Sequence, residues 1–494
     1  MVLRRELLRG VVGAMAGTWL GACGADGRSP TWGRFRRGVA TGDPRADAVV
    51  FWTHLAEAVG DEPLRLLVAT DEALRDVVAS RELVAFESAG HTVRAEVDGL
   101  PPGRTLYYAF ETVRGERSAV GRTRTAGEGE VPSVRLAVLS CASYAHGFFH
   151  VYRNVSQVTN LDAVLHLGDF IYEVADGFYG SLRAYDPPHE CRSLDDYRRR
   201  HAHYRLDPDL VALLGMHPLV ATWDDHEHAN DAWPGGSPWH DEATEGPWAE
   251  RLRASTRAYA EWMPLGSVEP LWRSLRFGDL VELFVLDTRL QRDRPPADER
   301  EARAPGRSML GEGQRRWLFE GLRASRARWK LVAGAVQFSP HPEFWNLDAW
   351  DGWAVERDAL LELVASERIE GVVFLCGDGH KSFAQDVPFD RRTYDPATGR
   401  GSVAVELMTP AVSSPNLFGA EARAFEAMVR AASPETKFVD AEHRGWLWLE
   451  ITPERLLAEH RFVEDVERPD GGRERVAARF EVRHGEPWLR RTGP

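Results

Sequence analysis

Cysteine, aspartate, histidine and asparagine stand at the ends of four apolar runs, and all four residue types can hold a metal ion. Leu136-Ala-Val-Leu139 runs into Ser140-Cys141, and Ala163-Val-Leu-His-Leu167 into Gly168-Asp169. Leu219-Val-Ala-Thr-Trp223 runs into Asp224-Asp-His-Glu-His-Ala-Asn230, and Val372-Val-Phe-Leu-Cys376 into Gly377-Asp378-Gly-His380. Short apolar runs of this kind read as buried strands. Ligands of layered α/β domains gather beyond the carboxyl ends of such strands, so four endings far apart in sequence can meet in one place. Their meeting implies a polynuclear metal site.

Each motif has its own chemistry. In Gly168-Asp169-Phe-Ile-Tyr172-Glu173, an aspartate at a strand end can present both oxygens to two cations, and the glycine before it permits a tight turn. A phenol with a pKa of about 10 yields its proton only to a strongly Lewis-acidic metal, so ligation by Tyr172 would point to Fe(III). The bland alternative is a helix-capping Asp169 and a Tyr172 packed in the core. The run Asp224 to Asp231 is denser in ionisable groups than packing needs, and carboxylates this close repel unless cations or protons intervene. Asp225 and Asn230 are candidate oxygen ligands and catalytic residues. His226 is placed to meet a phosphoryl oxygen or leaving group, with Glu227 expected to orient it. Asp378 and His380 alternate along extended backbone and can face one site. Cys141 is by type a small buried hydrophobe, but a thiolate next to a cation deprotonates easily and would be a natural partner for Asp169 and Tyr172.

The chain has 494 residues and reads as two domains. Its formal charge of -14, with the positive charge almost wholly from Arg, excludes an electrostatic nucleic-acid binder. Residues 1–23 read as an export signal: Arg4-Arg5 resembles a twin-arginine motif, residues 11–20 are too short to span a bilayer, and Leu20-Gly-Ala-Cys23 resembles a lipobox. The expectation is an exported periplasmic or cell-surface protein lipidated at Cys23 and tethered only by that anchor, with a monomeric catalytic unit. Cys141, Cys191 and Cys376 make no disulfide framework, and Cys141 is expected to be unpaired.

Residues 35–127 show short β segments broken by turns, and Gly99-Leu-Pro-Pro-Gly-Arg-Thr-Leu-Tyr107 resembles the tyrosine corner of fibronectin-like sandwiches. Strands alternate with helical patterns such as 313–326 and 354–367 over residues 133–468. Paired runs at 280–286 and 329–336 predict a two-sheet core flanked by helices, closed by a hairpin over 445–451 and 455–463. The charged, Gly-rich residues 469–494 read as a surface turn or tail.

The ordered motifs resemble the PhoD-like alkaline phosphatases, metallophosphoesterases with an N-terminal β domain. The resemblance is carried by Phe35-x-x-Gly38-Val-Ala-Thr-Gly42-Asp43-Pro44, Phe51-Trp-Thr53, Ser140-Cys141, Gly168-Asp169-Phe-Ile-Tyr172, Asp195-Asp-Tyr197-Arg198, Trp223-Asp224-Asp-His-Glu227 and Gly377-Asp378-Gly-His380. Leu286-Asp287-Thr-Arg289 and Trp350-Asp351-Gly352 follow in the expected order. The resemblance implies an α/β fold, a metallophosphoesterase-like αββα sandwich after a small fibronectin-like β-sandwich. It implies Fe(III) held by Cys141, Asp169 and Tyr172, with Asp169 bridging to Ca(II) or another divalent cation. Asp225 or Asn230, with Asp378 and His380, would complete the cluster, and His226 would sit over the substrate phosphate. Asp351 is a further candidate, though a tight turn explains it equally well. His54 and Gly379 depart from the family's usual residues without touching these ligands.

The expected reaction is metal-assisted hydrolysis of phosphate mono- or diesters for phosphate acquisition outside the cytoplasm. No serine nucleophile is needed, and neither Ser140 nor Ser143 has the hydrolase elbow pattern. One alternative is a phospholipase D-like phosphodiesterase acting on phospholipid or a teichoic-acid-like polymer. Another is a non-catalytic surface lipoprotein, which would have no need of so many mutually repelling charges.

Overall fold

A computed structural model describes residues 33–341, 344 and 346–494; residues 1–23, read above as an export signal, and with them Cys23 lie outside the described residues. The strand Val134–Leu139 shows how the main layers form. Every residue from Leu136 to Leu139 is buried, and alternation sends Leu136 and Val138 to one face, Ala137 and Leu139 to the other. A strand apolar on both faces must be covered on both, and each leucine so buried stabilises the fold by about 2 kcal/mol.

Leu136 and Val138 pack with Leu165 and Val220 against Leu283, Leu331, Val373, Leu375 and Leu407 of a second sheet. The first sheet has ten strands and the second seven. Ala137 and Leu139 pack instead under the helices His150–Ser156, Leu194–Tyr204, Pro208–Met216 and Trp248–Trp262. The helices Gly311–Ala324 and Ala354–Ser366 cover the far face of the second sheet through Leu318, Leu322, Leu360 and Leu361. This is the αββα layering. No described helix is long and apolar enough to cross a membrane.

The N-terminal β region is built into the larger sheet. Val39–Gly42 runs parallel to Pro218–Ala221, and Val49–His54 and Thr92–Val97 extend the edge. Phe51, Val93 and Val97 then pack against Leu64, Leu66, Leu106, Tyr108 and Phe110 of a separate four-stranded sheet. Gly42 makes the junction feasible, because a Cβ there would lie 2.6 Å from the Leu219 carbonyl oxygen.

Two expectations are corrected. Residues 469–494 are not a tail: Glu474–Arg483 and Glu486–Arg491 add two antiparallel strands to the ten-stranded sheet. Ala478, Phe480, Val482 and Leu489 enter the inter-sheet core, an alternation hidden among Arg and Glu on the opposite face. The tyrosine-corner reading also fails. Tyr107 rests partly exposed against Ala69 and Leu74, its hydroxyl in no hydrogen bond among the described residues, while Tyr108 is the buried tyrosine.

Candidate metal centre

Three of the four motif-bearing strands are parallel neighbours. Leu139 is level with His166, and His166 with Ala221, so their following loops emerge side by side. The pairing continues past the strands, with Cys141 N–H donating to Gly168 O at 3.1 Å and Ala142 N–H to Asp169 O at 2.9 Å. The fourth strand, Val372–Cys376, belongs to the other sheet and runs parallel to Ser402–Met408. The chain after Met408 crosses over: Thr409 Oγ1 donates to Val138 O at 2.8 Å, and Ala411 bridges to Ser140. That crossing joins the sheets where Gly377-Asp378-Gly-His380 begins.

The loops approach closely at two glycines. A Cβ on Gly168 would fall 2.4 Å from Asp224 Cβ, and one on Gly377 would fall 2.6 Å from Ser140 Cβ. Cys141, Asp169, Asp378 and His380 all sit in the left-handed region, with φ between 53° and 62°. Non-glycine residues there carry strain that the surroundings must offset, and such strain concentrates at functional sites.

Ligand-capable atoms of Cys141, Asp169 and His380 lie within 4.8 Å of one another, as do those of Asp169, Asp225 and His226. Two further triads, Asp224–Asp225–Asp378 and Asp225–Asp231–Asp348, meet the same limit. Asp169 and Asp225 are therefore shared between groups. Tyr172 joins the first group, its hydroxyl 2.9 Å from Asp169 Oδ2 and 3.2 Å from His380 Nε2. Ser414, unforeseen in the sequence, lies 2.7 Å from that hydroxyl and also donates to Cys141 O.

Tautomers follow from the partners. His380 Nδ1 donates to Pro415 O at 2.6 Å, which leaves the Nε2 lone pair facing Tyr172 and Asp169. Burial pushes this imidazole down to about 3, so it is neutral. His226 is the opposite case. Burial opposes its charge, but Glu173, Asp225 and Asp169 outweigh that and hold it well above the ordinary histidine value. Its Nδ1 donates to Glu173 Oε2 at 2.7 Å, and Nε2 lies 3.5 Å from the Tyr179 hydroxyl.

Glu173, not Glu227, orients His226. Glu173 also accepts from the backbone of Asn230 at 2.9 Å. Glu227 instead receives the backbone N–H groups of Asp169, Phe170 and Asp224, at 3.1, 2.5 and 2.8 Å, and so ties two ligand loops together. The sequence signal for Glu173 was adjacency to Tyr172. Behind both, Arg200 from the helix Leu194–Tyr204 donates to the Tyr172 and Val174 carbonyls and holds their loop. Asn230 is at the rim, its side-chain amide in no hydrogen bond with the described residues. Asp351 lies outside the cluster and pairs with Arg357 at 2.6 Å.

Arg289 and Asp348 are members that sequence spacing did not single out. Arg289, fully buried, pairs with Asp224 and Asp348, and its Nη2 lies 3.7 Å from both Asp225 and Asp378. Arg292 pairs with Asp348 at 2.5 Å. Two guanidinium groups do not balance Asp169, Asp224, Asp225, Asp231, Asp348 and Asp378. Burial pushes Asp224 up to about 6 and Glu227 up to about 8, and it holds Asp169 and Asp378 well above the usual carboxylate range, with neighbouring carboxylates adding to the effect. Asp225 is held below the usual carboxylate range despite its burial, by Arg289 and His226.

The donor set fits metal ions. Asp169 Oδ1 and Asp224 Oδ2 are buried without a hydrogen-bond partner, and such atoms are costly unless something positive meets them. A thiol, a phenol and a neutral imidazole suit a transition metal, while the carboxylates suit a hard divalent cation.

Two facing sheets with such a cluster across their strand ends have the layout of a metallophosphoesterase. The PhoD-like phosphatase family matches residues 136–460, and the N-terminal domain of PhoD-like phosphatases matches residues 22–127. Alkaline phosphatase D of Bacillus subtilis (strain 168) is 34% identical over 474 residues, covering 88% of this chain and 78% of that protein. A solved structure of PhoD superposes with a TM-score of 0.86 at 31% identity, covering 93% of this chain and 92% of that one. The chain belongs to the PhoD-like phosphatase family and is an alkaline-phosphatase-type hydrolase of phosphoric esters.

Proposed function

We propose that this protein hydrolyses phosphate esters outside the cytoplasm at a mixed Fe(III) and Ca(II) centre, releasing phosphate for uptake. The observation that carries the reading is the sharing of Asp169 between a thiol, phenol and imidazole group and a carboxylate group, with His226 beside it. Cys141, Asp169, Tyr172 and His380 would hold the ferric ion. Asp225, Asn230 and Asp378, with Asp169 as bridge, would hold calcium or another divalent cation. Cations held there supply Lewis acidity toward the phosphoryl group and lower the pKa of water.

The chain's own residues do the rest. His226, charged and fixed by Glu173, donates from Nε2 to a phosphoryl oxygen or to the departing alkoxide. Arg289 holds Asp224 and Asp348 in place, and Glu227 fixes the loop register. Neither Ser140 nor Ser143 competes as nucleophile: Ser143 shares its hydroxyl with Tyr185 at 3.2 Å, and Ser140 is packed against Gly377. Arg4-Arg5 and Leu20-Gly-Ala-Cys23 support twin-arginine export and lipidation at Cys23.

Hydrolysis of a matched phosphate monoester and diester by metal-replete protein, with calcium and at several pH values, tests the reading. Monoester preference supports phosphate scavenging. Diester preference moves the assignment to a phosphodiesterase on lipid or polymer, and absence of both activities rejects it.

A further inference from the structure

His226 is the inner end of a run of touching aromatic rings that reaches solvent. Tyr172 packs on one side of it with ring centres 4.2 Å apart, and Tyr179 packs edge-on at 5.4 Å. Tyr179 meets Phe178 at 4.8 Å, and Phe178 meets Trp239 at 4.9 Å, both edge-on. Exposure rises along the run: Tyr172 is buried, Tyr179 is partly covered, and Phe178 and Trp239 are 51% and 41% exposed. Single exposed apolar residues are ordinary. A contiguous pair leading to a buried, charged imidazole is a wall beside a reaction site.

Neither exposed ring is on a loose segment. Leu182 N–H donates to Ala145 O at 2.9 Å, and Gly180 passes so near that a Cβ would lie 2.8 Å from the same oxygen. Trp239 N–H donates to Ser237 Oγ at 3.1 Å, and Ser237 Oγ donates to Asn230 O at 2.6 Å. The two rings are thus fastened to the loops that follow Cys141 and Asp225.

We propose that Phe178 and Trp239 form a subsite for a planar ring carried by the alcohol portion of the phosphate ester. The inference rests on the reading of His226 as the residue that meets the phosphoryl group. Tyr172 closes the buried side of that imidazole, so the alcohol portion extends toward Tyr179, Phe178 and Trp239. Aromatic faces and edges hold flat rings better than a short aliphatic polyol, which has no face to stack. The ring can be that of a phenol or of a nucleobase.

Phenylphosphonate and methylphosphonate present the same anion with and without a ring, and neither is an ester. In calorimetric titration of the metal-replete protein, phenylphosphonate binds about tenfold more tightly. The double variant Phe178→Ala, Trp239→Ala loses that ratio and keeps its affinity for methylphosphonate; both side chains are about half exposed, so the fold survives. Equal affinities in the parent, or a ratio that persists in the variant, overturn the subsite. In turnover, kcat/KM of the variant falls about tenfold for an aryl phosphate, a 5′-nucleotide or both, with glycerol phosphate unchanged. The ester that falls identifies the source of the ring, and a fall for neither overturns the proposal. A parent that discriminates the phosphonates but cleaves no ester sinks the proposed reaction and leaves the subsite standing. Cleavage without ring discrimination does the reverse.

Discussion

The two sides of the cluster differ in chemistry. Cys141, Tyr172 and His380 present a thiol, a phenol and a neutral imidazole, and Tyr172 and His380 are fixed by Ser414 and Pro415. Asp224, Asp225, Asp231, Asp348 and Asp378 present only carboxylates, threaded by Arg289 and Arg292. On the first side protons can leave when a metal arrives, so charge is adjustable. On the second side Arg289 holds Asp225 and Asp348 in their charged form, while burial raises Asp224 and Asp378 toward the uncharged form. Donors so different suit different ions, a transition metal on the first side and a hard divalent cation on the second, with Asp169 belonging to both.

Removing the shared ligand tests that division most severely. Asp169→Asn is expected to lower kcat by about 1000-fold or more while far-UV circular dichroism stays native. Full activity in this variant would falsify the bridge. Next in size is Arg289→Met, which leaves Asp224 unpaired in the interior and Asp348 with Arg292 alone. Unfolding stability in chelator falls by about 3–5 kcal/mol, and calcium restores part of it because bound cation favours the native state. Denaturant titrations with and without calcium check this, and a loss that calcium does not touch refutes the carboxylate side as a cation site.

The smallest effect separates the sides. If the proposed iron and calcium occupy the two sides, parent protein treated with a calcium chelator is expected to lose activity and to keep a visible phenolate-to-iron absorption band. Tyr172→Phe loses the band and about tenfold in activity. A colourless, fully active parent would reject ferric iron.

The strand endings were legible because strands apolar on both faces must stop where polar chemistry begins. Cys141, Asp169, Tyr172, Asp225, His226, Asp378 and His380 are brought together as those endings implied. The partner of His226 was misjudged, because Glu227 is adjacent in sequence but its carboxylate turns back to three backbone N–H groups. Asp348 carried no local signal, since the buried Arg289 and Arg292 bring it to the cluster. The strand Glu474–Arg483 was masked by charges on its outer face, although Ala478, Phe480 and Val482 alternate inward.

Sequence alone determined the layered α/β class, the four ligand-bearing turns and the kinds of atoms they offer, because hydrophobic alternation and side-chain chemistry are local properties. Tertiary structure decided which carboxylate charges His226, which guanidinium balances the aspartates, and which rings line the way out. Those choices depend on distances between loops far apart in sequence, within one sheet for Glu173 and His226 and across the two sheets for Arg289 and Asp224.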